Sequence, residues 1–451
     1  MGWKKIEKGV LVALLTLGVL CVSLASTEAA PPVKSYNGAP FMSYEDLSKG
    51  EYWLDGTCLF DSMVQEYIER YPFEPLSDEE LRLKGKLGRS GEVMPDRLGQ
   101  EETFGAIAIT PQGNQFVEVV ASLRYIAKNA YLYVENGQEI DDETLDKIAK
   151  QFDDVIYDRD TAAFGSERKP GIDSDPRITL LMTDIQDGWE PGKGYIGGYY
   201  FPLNEYSKRI FPQSNEREML YLDTYPSDPT SPFYLGVVAH EFQHMIHANH
   251  DARETKWLNE GMSQLAFYIC GYGHPSQVLA FIRNSDERLD HYAQSVIDYG
   301  SVYLYFYYLY TKYCPTPEIK QQFTRGLVDS KLKSIDSVNE ALQKIGVEKN
   351  FDQIFDDWAV ANIINRPDLG GGLYGYDETL GMNLYHTENF ATFPVNKEKQ
   401  TVEMYAADYI RCSPDIGWVP VRPISLDKVT IYADSQATVN WGIDGWQVPP
   451  D

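Results

Sequence analysis

The sequence predicts an α+β fold: a twisted mixed sheet with one functional helix, then a mainly helical subdomain and a small β module. Three observations predict it. Between residues 115 and 223, β-branched and aromatic runs are broken by one amphipathic helical stretch. From residue 231 to 363, apolar residues recur instead at spacings of three and four. Beyond residue 404 the chain returns to short alternating runs, MYAADYI (404–410) and VTIYADSQATVNW (429–441), with no internal repeats anywhere.

The chain has 451 residues, enough for two or more domains. It opens MGWKKIEKG and continues in a hydrophobic run from Val10 to Ala25. A basic start and a run too short to span a bilayer comfortably predict a signal peptide over residues 1–30. Cleavage is expected after Ala25 or Ala29; an uncleaved anchor is the alternative. The expectation is therefore a secreted, extracellular protein with no stable membrane insertion after cleavage. The formal charge of −27 becomes −28 once Lys4, Lys5, Lys8, Glu7 and Glu28 leave. Such acidity argues against a nucleic-acid partner. Cys58, Cys270, Cys314 and Cys412 follow the leader; export permits disulfides, but buried thiols fit equally well and no pairing is indicated.

Residues 31–113 are irregular, with turn residues and a charged run at Ser77–Lys86, and are expected to be an N-terminal region: a propeptide, an N-terminal cap or part of the main domain's wall, without chemistry of its own. The main domain is expected over residues 114–385 and the β-rich module over 386–451. FVEVVASLRYIA and AYLYVEN predict two strands joined at Lys128-Asn129. Asp141 and Asp142 can cap the helix DETLDKIAKQFDDVIY, whose stripe is Leu145, Ile148, Phe152, Val155 and Ile156. Arg177–Ile185 predicts a central strand, and Glu218–Asp223 a further one. One of two stretches, Gly197–Tyr200 or Met219–Asp223, is expected to form the sheet edge that takes an extended peptide. The acids at Asp173–Asp175 lack the loop pattern of a calcium site, so Ca²⁺ is unsupported and a solvated turn is expected.

The most specific stretch is His240-Glu241-Phe242-Gln243-His244, the H-E-x-x-H pattern of a zinc hydrolase. On a helix its two histidines project from one face and can share a metal. Ser231 is a good N-cap and Pro232 fits the first helical position. Glu241, beside the first ligand, is placed to act as general base on a zinc-activated water. A tetrahedral catalytic zinc needs a third protein ligand. Glu260, in Trp257-Leu258-Asn259-Glu260-Gly261, is preferred, because a buried glutamate needs a partner and Asn249–Glu254 can turn the chain back. His250 is the alternative, but it requires a sharp turn at His247 where glycine is expected. His247 itself lies about 10 Å along the axis from His240, too far to share the ion.

HEFQHM followed by WLNEGMS resembles the hyicolysin family of zinc metallopeptidases, gluzincins whose third ligand is a glutamate. The resemblance covers roughly residues 120–365. It takes in FGSERKPGIDSDPRITLLMTDIQDG (164–188), GGYYFP (197–202), SNEREMLYLDT (214–224), YGSVYLYFYYLY (299–310) and FDQIFDDWAVANI (351–363). It implies one catalytic Zn²⁺ at His240, His244 and Glu260, Glu241 as general base, and protein or peptide substrates. It also implies a tyrosine near the reacting carbonyl, with Tyr299 the first choice and Tyr303 the second. No G-A-M-E-N segment of the aminopeptidase type is present, so an endopeptidase is expected. The rival reading is a non-catalytic surface or adhesion protein on a zincin scaffold, whose signature would be a missing ligand or a missing Glu241.

Overall fold

The structure is a computed structural model describing residues 52–110, 112–376, 380 and 405–406, together with the strands at 10–15, 388–390, 407–412, 418–421, 428–433, 440–443 and 446–447. The chain forms two units, one of residues 35–276 and 309–348, the other of 1–34, 277–308 and 349–451.

The first unit is built on a seven-stranded sheet. In space its order is Trp53–Asp55, Tyr195–Tyr200, Met219–Asp223, Ile178–Thr183, Ala130–Glu135, Gly113–Ile126, Glu101–Thr110. The middle three of these, Met219–Asp223, Ile178–Thr183 and Ala130–Glu135, run parallel. Every residue of Ile178–Thr183 and Met219–Asp223 is buried, as expected of near-continuous apolar runs covered on both faces. Gly113–Ile126 and Ala130–Glu135 form the predicted hairpin, held at its turn by the Asp153 carboxylate accepting from Lys128 N and Asn129 N. Met219–Asp223, one of the two expected edges, lies inside the sheet, and Tyr195–Tyr200 is second from the end.

Two elements contradict the reading of residues 31–113 as irregular. Glu101–Thr110 is a full strand paired antiparallel to Gly113–Ile126; Gly105, Ala106 and Ala108 blunt its apolar alternation. Asp61–Arg70 is a helix that sets Val64, with Met63, Tyr67 and Ile68, against the core around Phe104, Tyr199 and Phe201. Asp173 and Asp175 also depart from expectation. They are buried, not solvated: Asp175 accepts from Tyr131 Oη at 2.7 Å and Asp173 lies 3.7 Å from Lys86 Nζ. Protein donors thus occupy the acids considered for calcium.

Ser231 caps the helix Pro232–Asp251, its hydroxyl accepting from Phe233 N at 3.2 Å. A short turn leads back into Lys256–Ile269. The two helices close tightly at Gly236, where a Cβ would stand 2.0 Å from the Phe267 ring, so glycine is required. Asp141 caps Asp142–Gln151, which continues through a π turn at Phe152–Ile156 into Tyr157–Phe164, further than predicted.

The second unit holds Phe351–Ile364 and most of the long helix Val296–Lys312, packed through aromatic contacts such as Tyr305 edge-on to Trp358 at 5.3 Å. It also has a four-stranded parallel sheet ordered Lys428–Ala433, Val10–Leu15, Ala407–Cys412, Glu388–Phe390, and a small three-stranded sheet over residues 418–447. The predicted cleavage points at Ala25 and Ala29 lie outside the described residues. Among the described residues, no helix is long and apolar enough to cross a membrane. Cys58, Cys270 and Cys314 are buried free thiols.

Candidate metal centre

His240 and His244 leave the same face of their helix and bring their Nε2 atoms to 3.0 Å. From the returning helix, Glu260 reaches both: Oε2 is 3.5 Å from His240 Nε2 and Oε1 is 3.7 Å from His244 Nε2. The two histidines and Glu260 thus meet as the sequence suggested. A fourth acid joins them. Asp55 Oδ2 is 3.7 Å from His244 Nε2, and the ligand atoms of Asp55, His240, His244 and Glu260 all lie within 4.8 Å of one another. All four side chains are buried.

His250 is elsewhere. Its Nδ1 lies 2.7 Å from Asp329 Oδ1, and its Nε2 lies 3.1 Å from the Ser166 carbonyl. His247 is buried, and burial pushes its imidazole down to about 3, with His244 and His250 adding to the effect.

Glu241 sits beside the group on the same helix. Its Oε2 accepts from Thr57 Oγ1 at 3.1 Å, and its buried Oε1 has no hydrogen-bond partner. The neighbouring strand can come this close because position 198 is glycine: a Cβ there would stand 3.0 Å from the Tyr221 carbonyl and 3.1 Å from Glu241 Cγ. Around the ligands, His244 Nδ1 lies 3.0 Å from Asn259 Oδ1 and 3.1 Å from Ser263 Oγ, and Ser263 in turn donates to Gln243. The Trp53 ring meets His240 edge-on at 5.1 Å, and the Cys58 thiol donates to Glu260 Oε1 at 2.8 Å.

Burial drives Glu241 and Glu260 well above the ordinary carboxylate range, and the Asp55 charge adds to both. Burial likewise holds His240 well below its usual range and lowers His244. For Asp55 burial acts upward, but His244 and His240 outweigh it and keep the carboxyl below its usual value. Buried ionisable groups gathered this tightly are costly unless a counter-charge joins them.

Asp55, Thr57 and Cys58 were missed by sequence reasoning, which found no chemistry in residues 31–113. A signal was present. Trp53-Leu54-Asp55-Gly56 has the same build as Trp257-Leu258-Asn259-Glu260-Gly261, an acid set between bulky apolar residues and a glycine. Tyr299 and Tyr303 are fully buried in the second unit, Tyr299 edge-on to Tyr292 at 5.3 Å and Tyr303 stacked with Tyr307 at 5.7 Å.

An α+β fold holding two helical histidines, a returning glutamate and an adjacent carboxylate with one unpartnered oxygen has the make-up of a metal-dependent hydrolase. Comparison with known proteins points the same way. The chain is similar to the Neutral metalloprotease ShpI of Staphylococcus hyicus, 27% identical over 223 residues, which cover 46% of this chain and 48% of that protein. The chain spans about half the length of this curated relative. No family model matches. The likeness supports a metalloprotease relationship at a coarse level, and Asp55, His240, His244 and Glu260 form a group that could hold a metal ion.

Proposed function

We propose that the protein is an exported zinc-dependent endopeptidase, with the metal at His240, His244 and Glu260 and Glu241 as general base. The observation that carries this reading is the convergence of those three ligand atoms next to a buried carboxylate with a free oxygen. The donor set suits zinc. Bonds of about 2.0–2.2 Å in a tetrahedron separate neighbouring donors by roughly 3.3–3.6 Å, against 3.0 Å between the two Nε2 atoms, 3.5 Å from His240 Nε2 to Glu260 Oε2 and 3.7 Å from His244 Nε2 to Glu260 Oε1. Glu260 Oε2 is buried without a hydrogen-bond partner, which a cation would supply.

Zinc bound there would polarise the scissile carbonyl and lower the pKa of water to about 7. Glu241 takes the proton from the attacking water and hands it to the leaving amine. Its free oxygen, in a buried setting, is available for that transfer. Asn259 and Ser263 fix the ring of His244, holding its Nε2 toward the other ligands. Main-chain groups of Tyr195–Tyr200, here paired with Trp53–Asp55, would suit an extended peptide adding as a strand once that segment is displaced. The lack of a G-A-M-E-N segment favours internal bonds over a free amino terminus.

Protein recovered from culture medium should contain one zinc per chain by elemental analysis and should digest casein. 1,10-Phenanthroline should abolish the digestion and added zinc restore it. Digestion that is indifferent to the chelator would remove the metal from the mechanism. Export rests on the basic start and the short apolar run. N-terminal sequencing of that material should begin between residues 26 and 31, or later if a propeptide is removed. Membrane-bound protein with Met1 intact would show an anchor instead.

A further inference from the structure

We infer that Asp55 is a fourth protein ligand of the metal centre, and that the segment carrying it fills the groove where an extended peptide would lie. The inference rests on the metalloprotease reading above. Its basis is that one short stretch, residues 52–58, engages each part of the machinery at once. Asp55 brings a carboxylate oxygen to 3.7 Å from His244 Nε2, within the cluster of ligand atoms. Thr57 donates its hydroxyl to Glu241 at 3.1 Å, and Cys58 donates its thiol to Glu260 at 2.8 Å.

The same stretch saturates the sheet edge. Tyr195 N donates to the Tyr52 carbonyl at 3.0 Å, Gly56 N donates to the Gly198 carbonyl at 2.9 Å, and Tyr200 N donates to Thr57 Oγ1 at 2.9 Å. These are the main-chain groups that an added peptide strand would use. Among the described residues, Trp53–Asp55 is the last strand of the sheet and pairs with Tyr195–Tyr200, which would be the open edge without it. Trp53–Asp55 runs parallel to Tyr195–Tyr200, whereas Met219–Asp223 on the other side runs antiparallel.

A catalytic zinc keeps one position for water or substrate, while a site with four protein ligands is closed. His240, His244, Glu260 and Asp55 make four. The arrangement is a closed centre, and residues 52–58 must leave before a substrate can enter.

Asp55→Asn separates this role from a local one. The turn after Asp55 is held by its carboxylate accepting from Thr57 N at 2.8 Å and from Cys58 N at 3.3 Å. An asparagine oxygen can keep the shorter bond from Thr57 N, while its NH2 group, standing where Oδ2 faces His244, neither accepts from Cys58 N nor ligates a metal. Asp55→Ser, whose hydroxyl also accepts from the residue two ahead, is the second variant should the amide misfold. Full-length wild type and variant, each loaded with Co²⁺, would be titrated with acetohydroxamate while the cobalt d–d absorption is followed.

The variant should bind the probe at least about tenfold more tightly, since a site open in a tenth of the molecules binds about ten times more weakly. Equal affinity in the two proteins would overturn Asp55 as a ligand and leave the metal site standing. If neither protein takes up cobalt, the metalloprotease reading itself fails.

Discussion

Glu241→Gln should keep one zinc per chain and lose nearly all peptide hydrolysis. The substitution removes a proton acceptor and little else. Glutamine has nearly the same size, so the close approach of Gly198 to Cγ is preserved. The Thr57 hydroxyl, now donating to Glu241 Oε2, can donate to the amide oxygen instead. Metal content should therefore match wild type, because Glu241 is not among the four converging ligand residues. Activity depends on the proton. A positioned general base contributes typically about 10²–10⁴-fold, and among the described residues Glu241 is the carboxylate beside the four converging residues that keeps a buried oxygen without a partner. The comparison should be made on protein recovered from culture medium, with zinc measured on the same sample as casein digestion. A variant that digests casein at the wild-type rate would rule out Glu241 as the base.

What could be read from the sequence, and what could not, follows from how far each feature reaches along the chain. The metal helix was legible because its period, its Ser231 and Pro232 start and its histidine spacing are all local. Glu260 was legible because a glutamate on an apolar helix needs a partner. The helix return that brings it under the histidines needs only the polar stretch after Asn249. Asp55 was not. It belongs to a three-residue strand, too short for alternation to register. Its partner strand is about 140 residues away, and its acidity reads as surface until the fold buries it. Glu101–Thr110 was lost for a related reason, since its small residues weaken the apolar pattern. Asp173 and Asp175 read as a solvated turn because charges in sequence look exposed. Tyr131 and Lys86, which meet them in the core, come from distant parts of the chain.

Removing Glu260 should weaken zinc binding far more than removing His250, and the size of the loss should depend on Asp55. His250 is partly exposed, paired with Asp329 and bonded to the Ser166 carbonyl. His250→Ala forfeits a pair near the surface, worth about 0–1 kcal/mol, and should retain both zinc and most activity. Glu260→Ala removes a carboxylate that faces both His240 and His244. In the full chain Asp55 would still offer a third donor, so this single variant should hold zinc weakly rather than not at all. Glu260→Ala with Asp55→Asn leaves only His240 and His244. Its affinity should fall beyond the about 10–100-fold that an outer-shell partner typically costs, and the protein should purify essentially free of metal. Because the two carboxylates serve one ion, their effects should not add, and competition against a zinc chelator across the four combinations measures that coupling. Folding is not expected to suffer from Glu260→Ala, since it removes a buried acid that burial and the neighbouring Asp55 charge already disfavour in its ionised form. Zinc kept by the double variant and lost with His250→Ala would move the third ligand to His250, leaving a zinc protein of a different ligand class.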